Sequence, residues 1–169
     1  METTLLQSFR QNRSLDKQAI RGVMVMCLAL DIVFVVTSWN LHRLVQFFTN
    51  WTLLMTFLVL SLSLYLHWKG DDRDKWVMTV HHVCFELAVT MNLVTVVVYW
   101  TLCHSETLSL PEYMSNENRL KHTYFVHAVP AIFIAVNFAL SDIQMDPQHA
   151  KMYIFVGFIY GIMNCIESR

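Results

Sequence analysis

The chain has 169 residues, 55% of them hydrophobic and only 15% charged, with 12 Lys and Arg set against 13 Asp and Glu. That charged share lies well below the quarter usual in soluble domains, and without a basic block nucleic acid is excluded as a partner. Four Gly and three Pro, with no low-complexity tract, exclude collagen-like and disordered classes. The apolar residues are too many and too clustered for one small core, so the expectation is a single all-α polytopic transmembrane bundle over 1–169.

In chain order, residues 1–22 read as an amphipathic segment on the membrane surface, with Leu5, Leu6 and Phe9 toward lipid. Five apolar runs follow, at about 23–39, 47–68, 76–102, 124–140 and 152–166. Crossing the hydrocarbon takes about 20 helical residues at about 1.5 Å each, and the continuous runs favour helices over the alternating strands of a barrel. The fifth run is short and ends three residues before Arg169, which suggests that the protein continues beyond that residue. Connections are short, apart from a loop over 103–123, so any chemistry must come from the helices and their ends. Pro130 should bend or unwind the start of the fourth span. Gly157 and Gly161 form G-x-x-x-G, which permits close helix approach.

Lys and Arg set the orientation. One side collects Arg10, Arg13, Lys17, Arg21, Lys69, Arg73, Lys75 and Lys151, the other only Arg43, Arg119, Lys121 and Arg169. The N-terminus is therefore expected on the cytosolic side of an endomembrane or the matrix side of the mitochondrial inner membrane. The N-x-[ST] matches at Asn12 and Asn50 look unusable for glycosylation, and Cys27, Cys84, Cys103 and Cys165 read as reduced apolar fillers.

Polar side chains within the spans need a use. Asp31 and Glu86 are placed at a shared depth, with His82 one helical turn from Glu86 and Asn92 one turn from Ala88. A hydrogen-bonded latch between spans one and three accounts for these buried polar groups, with a proton or ligand site as the rival reading. Eight histidines invite a metal, but His81 and His82 are adjacent and no H-x-x-x-H or H-E-x-x-H occurs, so no metal centre is expected. Thr49 and His127 open the second and fourth spans from the same side, and so share a level about 3–5 Å below one membrane face. A Thr hydroxyl beside an imidazole is a minimal pair of nucleophile and general base.

The stretches LVQFFTNWTLLMTFLVL, FELAVTMNLVTVVVYW, HAVPAIFIAVNFAL and YIFVGFIYGIMN resemble the FAR-17a/AIG1-like (androgen-induced protein) family, with rolling-stone-like features in the Asn50-Trp51 pair that follows Thr49. The resemblance implies a multi-pass protein, usually with six spans, that hydrolyses fatty-acid esters of hydroxy fatty acids without a cofactor. It puts the nucleophile on Thr49 and the base on His127. Asn50 then becomes a candidate oxyanion donor, and Phe47, Phe48 and Phe125 candidate acyl-chain contacts. The partners are membrane lipids. The alternative is a non-catalytic accessory subunit of a larger membrane assembly, with other membrane subunits as partners.

Overall fold

The structure, a computed structural model, describes residues 15–38, 47–69, 74–141 and 143–167, with side chains followed as far as Tyr160. Among these residues the regular structure is entirely helical, with no strand. Five long helices run α1 (Leu15–Ser38), α2 (Phe48–Lys69), α3 (Lys75–Val98), α6 (Glu117–Ala139) and α7 (Ala150–Glu167). Two short ones, α4 (His104–Ser109) and α5 (Pro111–Met114), precede α6. Without water to satisfy the backbone, a helix is the economical way to cross lipid, because each N–H finds its carbonyl within the segment. Four segments are long and apolar enough to cross a membrane: α1, α2, α6 and the continuous run of α3 through α4. The fifth helix, α7, has 18 residues.

Several boundaries move from where apolarity alone puts them. Helix α1 begins at Leu15, so residues 15–22 are continuous with the first long helix; Leu5, Leu6 and Phe9 lie outside the described residues. The stretch 103–123 is mostly helical, not a loop. A π-helical turn at Tyr99–Cys103 carries α3 into α4, and α6 starts at Glu117, seven residues before the expected entry. That early start has a local cause. The Asn116 side chain accepts from the Arg119 N–H at 3.1 Å, and Glu117 places an acid at the positive helix end. Pro130 sits within α6 and the helix continues through it, so no unwinding occurs there. Nothing lies within 4 Å of where a Cβ on Gly157 would stand, so this glycine serves no close helix contact among the described residues.

Helices α2 and α3 form the centre. Helix α2 packs on α1, α3 and α6, while α3 packs on α2, α6 and α7. Their seam is antiparallel and polar: Thr52 bonds Thr95 at 3.0 Å, Asn92 donates to Thr56 at 2.8 Å, and Ser63 bonds His81 at 2.7 Å. Interhelical hydrogen bonds hold spans together where lipid gives apolar side chains no reason to associate. Leu53, Leu60, Phe85 and Ile134 pack around this seam, while the outward faces stay apolar. Trp68 and Trp76 are 80% and 68% exposed where α2 ends and α3 begins, as expected of rings at a membrane interface.

One buried chain of bonds ties four helices together. Arg21 of α1 donates from Nε to Asn137 Oδ1 of α6 at 2.7 Å, and Asn137 Nδ2 donates to Ser63 Oγ of α2 at 3.3 Å. Ser63 in turn bonds His81 of α3. The Arg21 guanidinium also reaches the Leu140 carbonyl and Ser141 Oγ at 3.3 and 3.0 Å, near the C-terminal end of α6. Asn137→Leu leaves the Arg21 charge without its shortest partner and is expected to cost about 1–3 kcal/mol. Arg21→Met combined with Asn137→Leu should recover part of that loss, because an apolar pair carries no unmet charge. Thermal unfolding in detergent measures both, and a double variant as unstable as the sum of the singles would contradict this role.

Candidate functional site

Thr49 is the second residue of α2 and His127 the eleventh of α6. The early start of α6 places His127 about 15 Å along its helix, not at its opening turn. The expected common level nevertheless holds, because α6 extends past the start of α2. Thr49 Oγ1 and His127 Nε2 are 3.1 Å apart.

The second ring nitrogen fixes what this contact is. His127 Nδ1 lies 2.7 Å from the Thr123 carbonyl oxygen, one turn earlier on α6. A carbonyl only accepts, so Nδ1 carries the proton and donates it. A neutral imidazole then presents a bare lone pair at Nε2, and Thr49 donates its hydroxyl proton to it. This is the tautomer a general base requires. Tyr99, buried in the π-turn, stacks on the imidazole with centroids 3.7 Å apart and planes 17° from parallel, which restricts ring rotation. π-turns inside α-helices often mark functional positions, and this one holds the Tyr99 that stacks on His127 of α6.

A cavity of about 550 Å³ lies against the pair. Its wall includes Phe47, Phe48, Val98 and Val126, with Gly157 and Tyr160 supplied by α7. Gly157 adds no side chain, so it leaves this wall open. The Tyr160 hydroxyl accepts from the Phe48 N–H at 3.3 Å, and its ring stands edge-on to Phe48 and Trp51. Phe125 is not among the lining residues. Asn50 lines the cavity, is buried, and has its backbone N–H bonded to the Phe47 carbonyl at 2.9 Å. Only its side-chain amide can therefore serve an oxyanion. Asn50 and Val35 also wall a second, almost wholly apolar cavity of about 590 Å³, lined by Ile32, Trp51, Leu54, Leu58 and Met91. Buried in this way, the Asn50-Trp51-Thr52 match is no glycosylation acceptor.

The polar residues expected to share one latch separate into three groups. Asp31 pairs with His122 at 3.2 Å, and His122 lines the first cavity. Asn92 belongs to the α2–α3 seam through Thr56, and also donates to the Ala88 carbonyl at 2.8 Å. His82 and Glu86 do meet, at 3.2 Å, but their partner is His149 beside the start of α7, not span one. A latch between spans one and three through Asp31 and Glu86 is therefore not what forms. Polar groups on other partners serve each carboxylate instead: His122 for Asp31, and His82, His149 and Tyr153 for Glu86. Cys103 is exposed, and Cys27 and Cys84 are half-buried; none of these three is in a disulfide.

Sequence reasoning missed Tyr99, Thr123, Tyr160 and the Arg21 network. Only the cap at Asn116 left a readable signal, since it implies that α6 starts early and that Thr123 lies within it. No family model, curated protein or solved structure matches this chain.

The tautomer is measurable. In protein labelled with ¹⁵N-histidine, His127 should show a protonated Nδ1 and an unprotonated Nε2 near neutral pH, with the pattern lost in His127→Gln. Protonation at Nε2 instead would mean that Thr49 accepts, and that no base is poised.

Proposed function

We propose that this chain is a membrane-embedded lipid-ester hydrolase in which Thr49 is the nucleophile and His127 the general base. The observation that carries the reading is the 3.1 Å contact from Thr49 Oγ1 to a His127 Nε2 left unprotonated by the Nδ1–Thr123 bond. Support also comes from the cavity, whose size falls within the range of small-molecule sites and whose walls suit acyl chains. The resemblance to the FAR-17a/AIG1-like family points to the same two residues and to fatty-acid esters of hydroxy fatty acids as substrates. The charge asymmetry supports an N-terminus on the cytosolic or matrix side.

The chemistry follows from the geometry. As Thr49 Oγ attacks the ester carbonyl, its proton passes to His127 Nε2, and the imidazolium is steadied by its Nδ1–H bond and by the Tyr99 ring. The carbonyl oxygen becomes an oxyanion, for which the Asn50 amide is the candidate donor. The tetrahedral intermediate collapses, the alcohol leaves with the proton from His127, and the acyl group stays on Thr49. Water then attacks the acyl ester with His127 again taking a proton, which returns to Thr49 as the fatty acid departs. Each turnover consumes one water and restores both residues. No cofactor enters the scheme.

Thr49→Ala and His127→Ala should each abolish hydrolysis of a fluorogenic long-chain ester by the detergent-purified protein, and the double variant should be no worse than either, because the two residues act as a unit. Tyr99→Leu frees the imidazole and should lower kcat about tenfold, equivalent to about 1.4 kcal/mol, with less change in KM. Full activity in Thr49→Ala, with folding checked by circular dichroism, would end the hydrolase reading.

A further inference from the structure

At 1.5 Å per residue, the thirteen steps from Tyr99 back to Glu86 put a second polar cluster about 20 Å along α3 from the Thr49 cavity. Glu86 is fully buried, at 0% exposure. A lone carboxylate in such a place would shed its charge or recruit cations. Its neighbours are two imidazoles. His82 Nε2 is 3.2 Å from Oε1 along the same helix, and His149 Nδ1 contacts Oε2 from the 3₁₀ turn at Pro147–His149. The two rings meet edge to face at 5.5 Å. One donor atom from each of the three residues lies within 4.8 Å of the other two.

The geometry points to a divalent metal site formed by His82, Glu86 and His149, with Zn²⁺ as its ion. Two imidazole nitrogens and one carboxylate oxygen are a recurring zinc donor set, with the fourth position left to water. Three such donors at zinc bond lengths stand about 3.3 Å apart in a tetrahedron, so the cluster needs only small side-chain rotations to close on an ion. Magnesium and calcium demand oxygen-rich shells, and copper(I) prefers sulfur, which the cluster lacks. The carboxylate is already oriented from outside. The Asp146 backbone N–H donates to Oε1, and the Tyr153 hydroxyl donates to Oε2 at 3.4 Å. Outer contacts of this type fix ligand direction and strengthen binding. These two groups also crowd the carboxylate and favour a four-coordinate ion over one with several open positions. His149 is 21% exposed at its side chain, which gives an ion a way in from the bundle surface.

The site has a mechanical consequence. His149 directly precedes α7, and α7 contributes Gly157 and Tyr160 to the first cavity. An ion bridging His149 to α3 fastens the start of α7 to the centre of the bundle. The ion acts as a clamp on that wall, and this role does not depend on the chemistry assigned to Thr49.

The test uses the full chain in detergent, carrying an affinity tag without histidines, stripped by chelator and titrated with Zn²⁺ against a chromophoric competitor. One equivalent should bind with Kd below about 1 µM. Tyr153→Phe should weaken binding about tenfold, and His149→Ala at least about 100-fold. Co²⁺ should give the intense visible bands of a four-coordinate ion. His149→Cys should bind Co²⁺ with a near-ultraviolet thiolate-to-cobalt band that the wild type lacks, which reads ligation directly even where His149→Ala folds poorly. Absence of stoichiometric Zn²⁺ binding, equal affinity in His149→Ala, or no thiolate band in a folded His149→Cys protein would each overturn the site.

Discussion

The buried guanidinium of Arg21 is the constraint from which the packing follows. A charge inside an apolar bundle is tolerated only where donors and acceptors surround it, and Arg21 finds Asn137, the Leu140 carbonyl and Ser141 at the end of α6. Asn137 then has an amide proton to place, and gives it to Ser63. Ser63 donates its own proton to the Val59 carbonyl, so it accepts from both Asn137 and His81. Each group is satisfied only if its neighbour sits on a particular helix. Lipid-facing apolar side chains cannot choose between partners, and this chain of directional bonds can. It fixes α1, α2, α3 and α6 in one arrangement.

That arrangement aligns the other end of the bundle. Once the α2–α3 seam is in register, Thr52 meets Thr95, so Thr49 and Tyr99 come to the same level. Helix α6, held at its far end by Asn137, brings His127 between them. The Thr49–His127 contact is thus assembled from three helices, each positioned by bonds several turns away. The imidazole is oriented from within its own helix by the Thr123 carbonyl and from α3 by the Tyr99 ring. An acceptor nitrogen held against a hydroxyl beside a largely apolar cavity is preorganised, as general-base chemistry would require of a site.

Helix α7 stands apart from this network and depends on different contacts. Tyr160 meets α2 through the Phe48 N–H, and the segment before α7 meets α3 through Glu86. The wall that α7 adds to the cavity is therefore held by polar groups at both of these points, one of them the His82, Glu86 and His149 cluster. Buried carboxylates in spans ask for such partners because desolvation outweighs any loss in ordering the loop that supplies them.

The sequence by itself determined the number and approximate place of the long helices, since apolar runs of span length must satisfy their backbones internally. It also made Thr49 and His127 visible as a pair at one level, because the order of spans fixes which ends lie together. Its boundaries failed where apolarity was the wrong guide. The polar stretch before Tyr124 is helical because Asn116 caps it, and residues 15–22 run unbroken into the first long helix with Arg21 buried in the bundle. Only the tertiary structure decided which polar groups meet. Asp31 could serve Glu86 or His122, and periodicity along one helix does not say which neighbour faces it. His149 reaches Glu86 across 63 residues, a contact that no local spacing records. The pairing was settled by directional bonds between helices, which depend on rotation and register in three dimensions.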